Sequence, residues 1–554
     1  MKYFDIIRIS AALACASLLS GCSDFLTEDL KSSLAPENTY TSSMGFEVGS
    51  AGLYSIARSE YNTYGEQGAY MHNGACAYEA LQIGTDICDQ SGAKDGSLTP
   101  FANLTLNSTT RFVESYWNWA YNLIGSANEL LLFSDKNTNW DYPSDKALYQ
   151  AEARFFRAYA YRTLVYLYGD VPYVETIRQP FVLNFTRTPK DEVIGYIVDD
   201  LEFASKYLPE NPDAVKPGKL TKWAALHLLS EMYLLQEEYD LARQAAQSVI
   251  DSKHFSLVKA RFGAKKTENG DYYHDMFIEN NQNRASGNTE SIWVMQFEYK
   301  TVGGGTNSDD WTRRAWNPQY YNITNFFELA DTLGGRGLAQ IAPMKWWAGT
   351  KGTNATYAET SAGGYSGIFG DTDIRNSNYN IKRSWWGNKE PNVGVKSNIT
   401  DATWKNGQLY PAITKFFYGA PDNLALTGAY KDRMKFRLAE TYLLLAEAHL
   451  GLNDPQSAAD AVNVVRSRAR AKAVSAEEMD MDYLLDERIR ELVGEESRRF
   501  TLVRTGTLLE RVKTYNEEQK GSIQEHHLLW PIPQTIIDSN RDIEFPQNPG
   551  YNQK

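Results

Sequence analysis

The chain of 554 residues carries 42% hydrophobic and 23% charged side chains, ordinary proportions for a globular body with room for a sizeable core. Its formal charge of −13 comes without a basic stripe, which excludes a protein that holds phosphate backbones. Aromatic residues are the outlier at 13%, with 35 tyrosines and 13 tryptophans, side chains that suit both core packing and wet recognition surfaces.

At the start, Lys2 and Arg8 precede an almost wholly apolar run from Ile9 to Leu19. It is too short to span a bilayer, which takes about 20 residues, and has the length of a signal-peptide core. Leu19-Ser20-Gly21-Cys22 follows and resembles the lipobox of bacterial lipoproteins, in which the cysteine is lipidated and becomes the mature N-terminus. Residues 1–21 are therefore expected to be a leader, 22–36 a lipidated tether and 37–554 a single folded body. Loss of Lys2, Asp5 and Arg8 with the leader deepens the negative charge by one. Of the four cysteines, Cys15 leaves and Cys22 carries lipid. Cys76 and Cys88 remain, as a disulfide or as two buried thiols, and their spacing does not decide between them.

Further along, Ala153, Phe156, Ala160, Leu164 and Leu167 recur at helical steps, and Gly169 and Pro172 close the segment. Residues 219–252 read as two helices, with Thr221 as a cap, Ala225, Leu228, Met232 and Leu235 on one stripe and Tyr239, Ala242, Ala246 and Val249 on the other. The same pattern returns at 436–450 and 458–471. Small alanines at recurring positions let helices approach closely, as in tetratricopeptide-type repeats of about 34 residues. The fold class expected is mainly α: tetratricopeptide-like helix pairs over about 37–259 and 435–554, with a large loop-rich, ligand-binding insert over about 260–434.

That insert has runs of glycine at 303–305, 334–335 and 363–364, and few periodic segments. Trp311, Trp316, Trp346, Trp347, Trp385, Trp386 and Trp404 all fall here, seven of the thirteen tryptophans in a sixth of the chain. Extended backbone sends neighbouring side chains to opposite faces, so each adjacent pair is expected to put one indole in the core and one outside. A sugar ring offers flat C–H patches bordered by hydroxyls, which aromatic faces and short polar groups match. Two or three of the seven indoles are expected to line a ligand face.

Four stretches together resemble the SusD/RagB family of Bacteroidetes outer-membrane lipoproteins: Ala151 to Tyr161 with Tyr168 to Tyr173; Arg437 to Ala448 with Asn463 to Arg468; Asp486 to Leu492 with Glu496 to Arg504; and Trp530 to Pro533 with Gln547 to Tyr551. The resemblance implies a glycan-binding lipoprotein on the outer surface of the outer membrane, held there by lipid on Cys22. It implies delivery of oligosaccharide to a SusC-like TonB-dependent transporter. The family's acidic stretch behind the cysteine is interrupted here, since Phe25-Leu26-Thr27 separates Asp24 from Glu28 and Asp29. It further implies ligand contacts from an N-terminal loop, here residues 86–95, so Asp86 and Asp89 join Trp311, Trp316, Trp346, Trp347, Trp385 and Trp386 as candidate binding residues. The motif charges themselves, Glu152 with Arg154 and Arg157, and Glu487 with Arg490 and Glu491, read as helix pairs a turn apart.

Signals for catalysis are thin. No His/Glu zinc motif, phosphate loop, nucleophile elbow or EF-hand is present, so no catalytic residue, metal ligand or cofactor is expected. Three other readings remain: a peptide-binding relative of the RagB type, a repeat scaffold that holds another protein, and a glycoside hydrolase whose two carboxylates meet only in space.

Overall fold

A computed structural model describes residues 36–61, 76–92, 96–137, 139–176, 182–301, 303–304, 310–349, 368–370, 372–420, 422–426 and 428–552. The leader, Cys22 and the tether up to residue 35 lie outside the described residues, as does Asp95. The principal helices are α1 (Ser43–Arg58), α2 (Arg111–Lys136), α3 (Asp145–Tyr168), α4 (Lys190–Tyr207), α5 (Lys222–Leu235), α6 (Tyr239–Asp251), the single turn α7 (Lys345–Ala348), α8 (Leu438–Gly451), α9 (Pro455–Arg468), α10 (Met481–Leu492), α11 (Arg498–Arg504) and α12 (Leu508–Tyr515). Helices α2 to α6 pack each on the next, and α6 then packs directly on α8. The array is mainly helical and tetratricopeptide-like, and the loop-rich insert is extruded between its sixth and eighth helices.

Helix α3 is buried far beyond the expected stripe: every residue from Ala151 to Tyr168 except Arg154 is buried, because α1, α2, α4 and α11 all pack on it. Its charges therefore cannot be surface pairs. Glu152 accepts hydrogen bonds from Ser50 and Tyr54 of α1 and from Lys219, not from Arg154 or Arg157. Arg157 grips Asp200 of α4 at 2.7 and 2.8 Å, and Arg162 grips Glu231 of α5 at 2.9 and 2.8 Å. Bidentate guanidinium–carboxylate pairs fix orientation as well as distance, so these residues set the register of one helix on another. Thr221 does stand at the N-cap of α5, but its hydroxyl makes no capping bond.

Strands are short: β1 (Cys88–Gln90), β2 (Ser291–Met295), β3 (Ile341–Pro343), β4 (Ile381–Lys382), β5 (Trp385–Trp386), β6 (Lys396–Ser397), β7 (Ala412–Ile413) and β8 (Arg433–Arg437). They form four two-stranded antiparallel ladders, β1–β3, β2–β8, β4–β7 and β5–β6. The β2–β8 ladder closes the base of the insert, and β8 runs straight into α8. Cys76 and Cys88 are both buried free thiols. At the C-terminus, the Trp530 N–H donates to the Leu167 carbonyl, and Asn548 donates to the carbonyls of Tyr168 and Trp530. These bonds fasten the last segment across the end of α3.

A buried charge cluster joins insert to helices. Glu487 and Glu491 of α10 are 0% exposed. Arg375 of the insert reaches both, at 2.8 and 2.9 Å; Arg466 of α9 reaches Glu487 at 2.6 Å; and Arg437 of β8 and Arg468 of α9 reach Glu491. The pairing of Glu487 with Arg490 along α10 is present at 2.9 Å, buried within this network rather than on the surface. Burial alone would raise the Glu487 carboxyl; the guanidinium groups of Arg375, Arg490 and Arg466 overcome it and hold the group at about 2. Glu491 is likewise held below the usual range against its burial, by Arg468, Arg437 and Arg375. Because both carboxyls are depressed in the folded state, they stabilise it fully above the ordinary glutamate range, and that contribution is lost as pH falls from about 4.5 towards 2.

Changing Glu491 to Gln removes one of the two carboxylates that Arg437 and Arg468 share, leaving Glu290 as the other, with an expected loss of about 3 kcal/mol. A lower urea midpoint at pH 7 would show it, and the difference from the parent should shrink as the pH is taken below about 4. Glu517→Gln, at an exposed pair with Lys520, should leave the midpoint unchanged.

Candidate functional site

The seven insert tryptophans divide sharply. Trp316, Trp347, Trp385 and Trp404 are buried, which corrects the expectation that Trp316, Trp347 and Trp385 contact ligand. Trp347 donates its indole N–H to the Ile87 carbonyl at 2.7 Å, and Trp404 donates to the Pro343 carbonyl at 3.2 Å. Trp385 stacks on Tyr320 with ring centroids 5.7 Å apart. Trp347 thus joins insert to body, while Trp385 and Trp404 pack within the insert itself.

Three indoles keep an accessible face. In the β5–β6 hairpin, Trp385 points inward and Trp386, its neighbour on the pleat, is 50% exposed, as alternation along extended backbone requires. Trp346 and Trp347 divide the same way for another reason: they sit in the helical turn α7 rather than in a strand, and successive helical residues point about 100° apart. Trp311 is half-buried, with the Arg314 guanidinium carbon 3.3 Å from its ring centroid.

Asp86 is wholly buried, which corrects its expected ligand role. Arg498 donates to it through two nitrogens at 2.9 and 2.7 Å, and Arg511 through Nε at 3.0 Å. Burial opposes its ionisation, and Arg498 and Arg511 outweigh burial, so its carboxyl is held below the usual range. This carboxylate pins the loop before β1 to α11 and α12. Its backbone carbonyl in turn accepts the Trp346 indole N–H at 2.6 Å.

One corner therefore collects several groups. Trp346 stacks on Tyr515 at the end of α12, centroids 4.2 Å apart, and Arg511 lies 4.4 Å from the Tyr515 centroid and 5.5 Å from that of Trp346. Asn516 donates to the Thr85 carbonyl at 2.8 Å, which brings the chain after α12 against the loop that leads into β1 and Asp89. Asp89 is buried, and its carboxyl is pushed up to about 6 by burial, with the Gln90 N–H donating to it at 2.6 Å. Tyr515 was not singled out by the sequence; the signal was the four-residue step from Arg511 to Tyr515, which puts both on one face of a helix.

The exposed Trp386 stands apart, on a hairpin with exposed Val393 and Val395. Its turn is fixed by Gly387 N–H donating to the Val395 carbonyl at 2.8 Å, and by Asn388 and Asn392 side chains that bond the chain around Asn325 to Glu328. An aromatic ring on a braced hairpin loses little freedom when something stacks on it. Among the described residues no group of His, Cys, Asp or Glu is arranged to hold a metal ion.

Comparison with known proteins places these features in a family. The model for the SusD family matches residues 289–551, and a second, described as starch-binding associating with outer membrane, matches residues 63–234. The chain belongs to the SusD family. It is 26% identical to SusD-like protein P25 of Formosa agariphila, over 97% of this chain and 96% of the relative. It is 24% identical to the starch-binding protein SusD of Bacteroides thetaiotaomicron, over 88% and 86%. Among solved structures, a laminarin-binding SusD-like protein superposes with a TM-score of 0.66 at 21% identity, over 91% of this chain and 99% of that one. NanU of B. fragilis superposes at 0.69 and 19%, over 95% and 100%. At these identities the superpositions show a shared SusD fold.

The division within Trp385-Trp386 can be read out directly. Trp385→Ala empties a core position and is expected to cost about 3–5 kcal/mol; Trp386→Ala should leave the thermal midpoint within a degree or two of the parent. Differential scanning calorimetry of the two variants side by side distinguishes them.

Proposed function

We propose that this SusD family member is a lipoprotein anchored through Cys22 on the outer face of the outer membrane, where it captures oligosaccharide and delivers it to a SusC-like TonB-dependent transporter. The observation that carries the reading is the pair of aromatic faces kept accessible on the insert: Trp386 on its hairpin, and Trp346 backed by Tyr515. Relatives described as starch-binding and laminarin-binding support carbohydrate as the ligand class. Trp311 is a third platform, whereas Asp89, expected among the ligand contacts, is buried with its carboxyl turned to the Gln90 N–H, Asn516 and Gln519. A sugar stacking on a preformed ring gains about 0.5–1.5 kcal/mol beyond the area it covers, so affinity comes from several such platforms acting on one chain of sugars. The protein binds and hands over its ligand unchanged.

Calorimetric titration with laminarin and starch oligosaccharides tests the reading. Trp346→Ala and Trp386→Ala are each expected to weaken binding about 3- to 10-fold, and the released sugars should keep their original length. Unaltered affinity in both variants would remove these rings from the site, and shortened products would replace binding with hydrolysis. The anchor is tested separately by metabolic labelling with an alkyne-tagged palmitate, expected in the parent and absent in Cys22→Ala.

A further inference from the structure

A trough of about 380 Å³ runs along α2, lined by Tyr121, Asn122, Gly125 and Glu129 of that helix and by Val174 and Thr176 of the chain leaving α3. A Cβ added at Gly125 would meet nothing within 4 Å, so another backbone can lie close at this point. Tyr121 and Val174 also line a cavity of about 210 Å³, whose other walls include Trp117, Leu183, Ile536 and Phe545. The polar groups at that cavity are already committed to the protein. The Tyr121 hydroxyl donates to the Pro172 carbonyl at 2.7 Å, and Ser539 donates to the Thr535 carbonyl at 2.6 Å. Asn540 accepts the Phe185 N–H at 2.7 Å and donates to the carbonyls of Phe185 and Ile543 at 2.9 and 3.0 Å. A polar group entering there would lose its water without gaining a partner, so the cavity suits an apolar side chain.

The chain itself arrives at the opposite end of the trough. The turn Pro36–Thr39 packs on α2, and Tyr40 stacks on Phe133 of that helix with ring centroids 5.4 Å apart. Glu37 is near enough to Glu129 to add to burial in raising its carboxyl above the ordinary range. Residues before Pro36 therefore set out from beside Glu129. A solvated tether needs no apolar side chains, yet Leu26, Leu30 and Leu34 recur at four-residue steps, which puts them on one side of a helix. Pro36 marks where such a helix stops. From Leu26 to Leu34 a helix rises about 12 Å, and α2 rises by the same amount from Tyr121 to Glu129. Charge matches as well: Lys31 is the one cation between Cys22 and Pro36, and Glu129 has no cationic partner among the described residues.

We propose that residues 25–34 dock along α2 as a helix filling this trough, with the leucines against Gly125 and its neighbours, Lys31 beside Glu129, and the Phe25 ring in the cavity. An apolar cavity of about 150 Å³ takes up benzene, so the larger one here has room for a phenyl ring. The docking is independent of what the protein binds, and with the anchor reading given above it changes what the lipid does. From Cys22 to Pro36 an extended chain reaches about 48 Å. With the segment docked, only Ser23 and Asp24 separate Cys22 from the docked Phe25, about 10 Å of chain, and the body is held at the membrane in one orientation.

Hydrogen exchange read by mass spectrometry on the intact lipoprotein in detergent tests this. Amides of residues 26–34 are expected to exchange about tenfold or more slowly than in a free peptide of the same sequence; exchange at the peptide's rate overturns the proposal. Lys31→Glu and Glu129→Lys are each expected to remove most of that protection, and the two together to restore it, a result that shelter by a detergent micelle would not give. Protection that survives both single reversals, or that the double variant fails to recover, places the segment elsewhere. Val174→Trp, which fills the junction of trough and cavity, should release residues 26–34 while the amides of α3 stay as slow as in the parent. Retained protection in that variant also overturns the assignment.

Discussion

Two carboxylates on α10 govern how the rest of the molecule fits together. Glu487 and Glu491 have left water completely, and they are tolerated because arginines arrive from the insert (Arg375), from β8 (Arg437) and from α9 (Arg466 and Arg468). Charges at such depth favour one arrangement strongly, since any alternative packing leaves an ion without its partner in a medium of low dielectric. Segments that lie more than a hundred residues apart are therefore held in a single geometry. The β2–β8 ladder, the turn carrying Arg375 and helices α9 and α10 all meet at this point.

Rigidity at the base has its counterpart at the accessible rings. Trp346 cannot swing away from Tyr515 without losing its bond to the Asp86 carbonyl, and Asp86 is itself fixed by Arg498 and Arg511. Trp386 is oriented by a neighbour, Trp385, that is locked in the core. In both places a buried group sets the direction of an accessible one, so little ordering remains for a ligand to impose.

The helical array was legible in the sequence, since three- and four-residue recurrence of apolar side chains around Phe156, Leu228 and Leu444 reports directly on helices that bury one side. What recurrence could not reveal was depth. The charges of α3 and α10 have the spacing of solvent-exposed pairs, yet those of α3 find partners on other elements and Glu487, while keeping Arg490, is buried among arginines from outside its helix; only tertiary packing distinguishes these cases from surface pairs. The tryptophans show the same limit. Concentration of seven in the insert marked a region built from aromatic contacts, and the adjacent pairs do divide between core and surface, but four of the rings serve as core packing. Asp86 was read as a loop acid because its partners, Arg498 and Arg511, lie more than four hundred residues further on. Tyr515 went unnoticed because its four-residue step from Arg511 is an ordinary helical spacing, and Trp346, the ring it stacks on, lies far earlier in the chain.

The direct packing of α6 against α8 has a consequence for how such a molecule changes over time. The helical stack is continuous beneath the insert, so residues between the two helices can be lengthened, shortened or rebuilt without opening the scaffold, provided β2, β8 and the arginine reaching α10 are retained. Diversification in ligand preference can then proceed as the exchange of a cassette on an unaltered chassis.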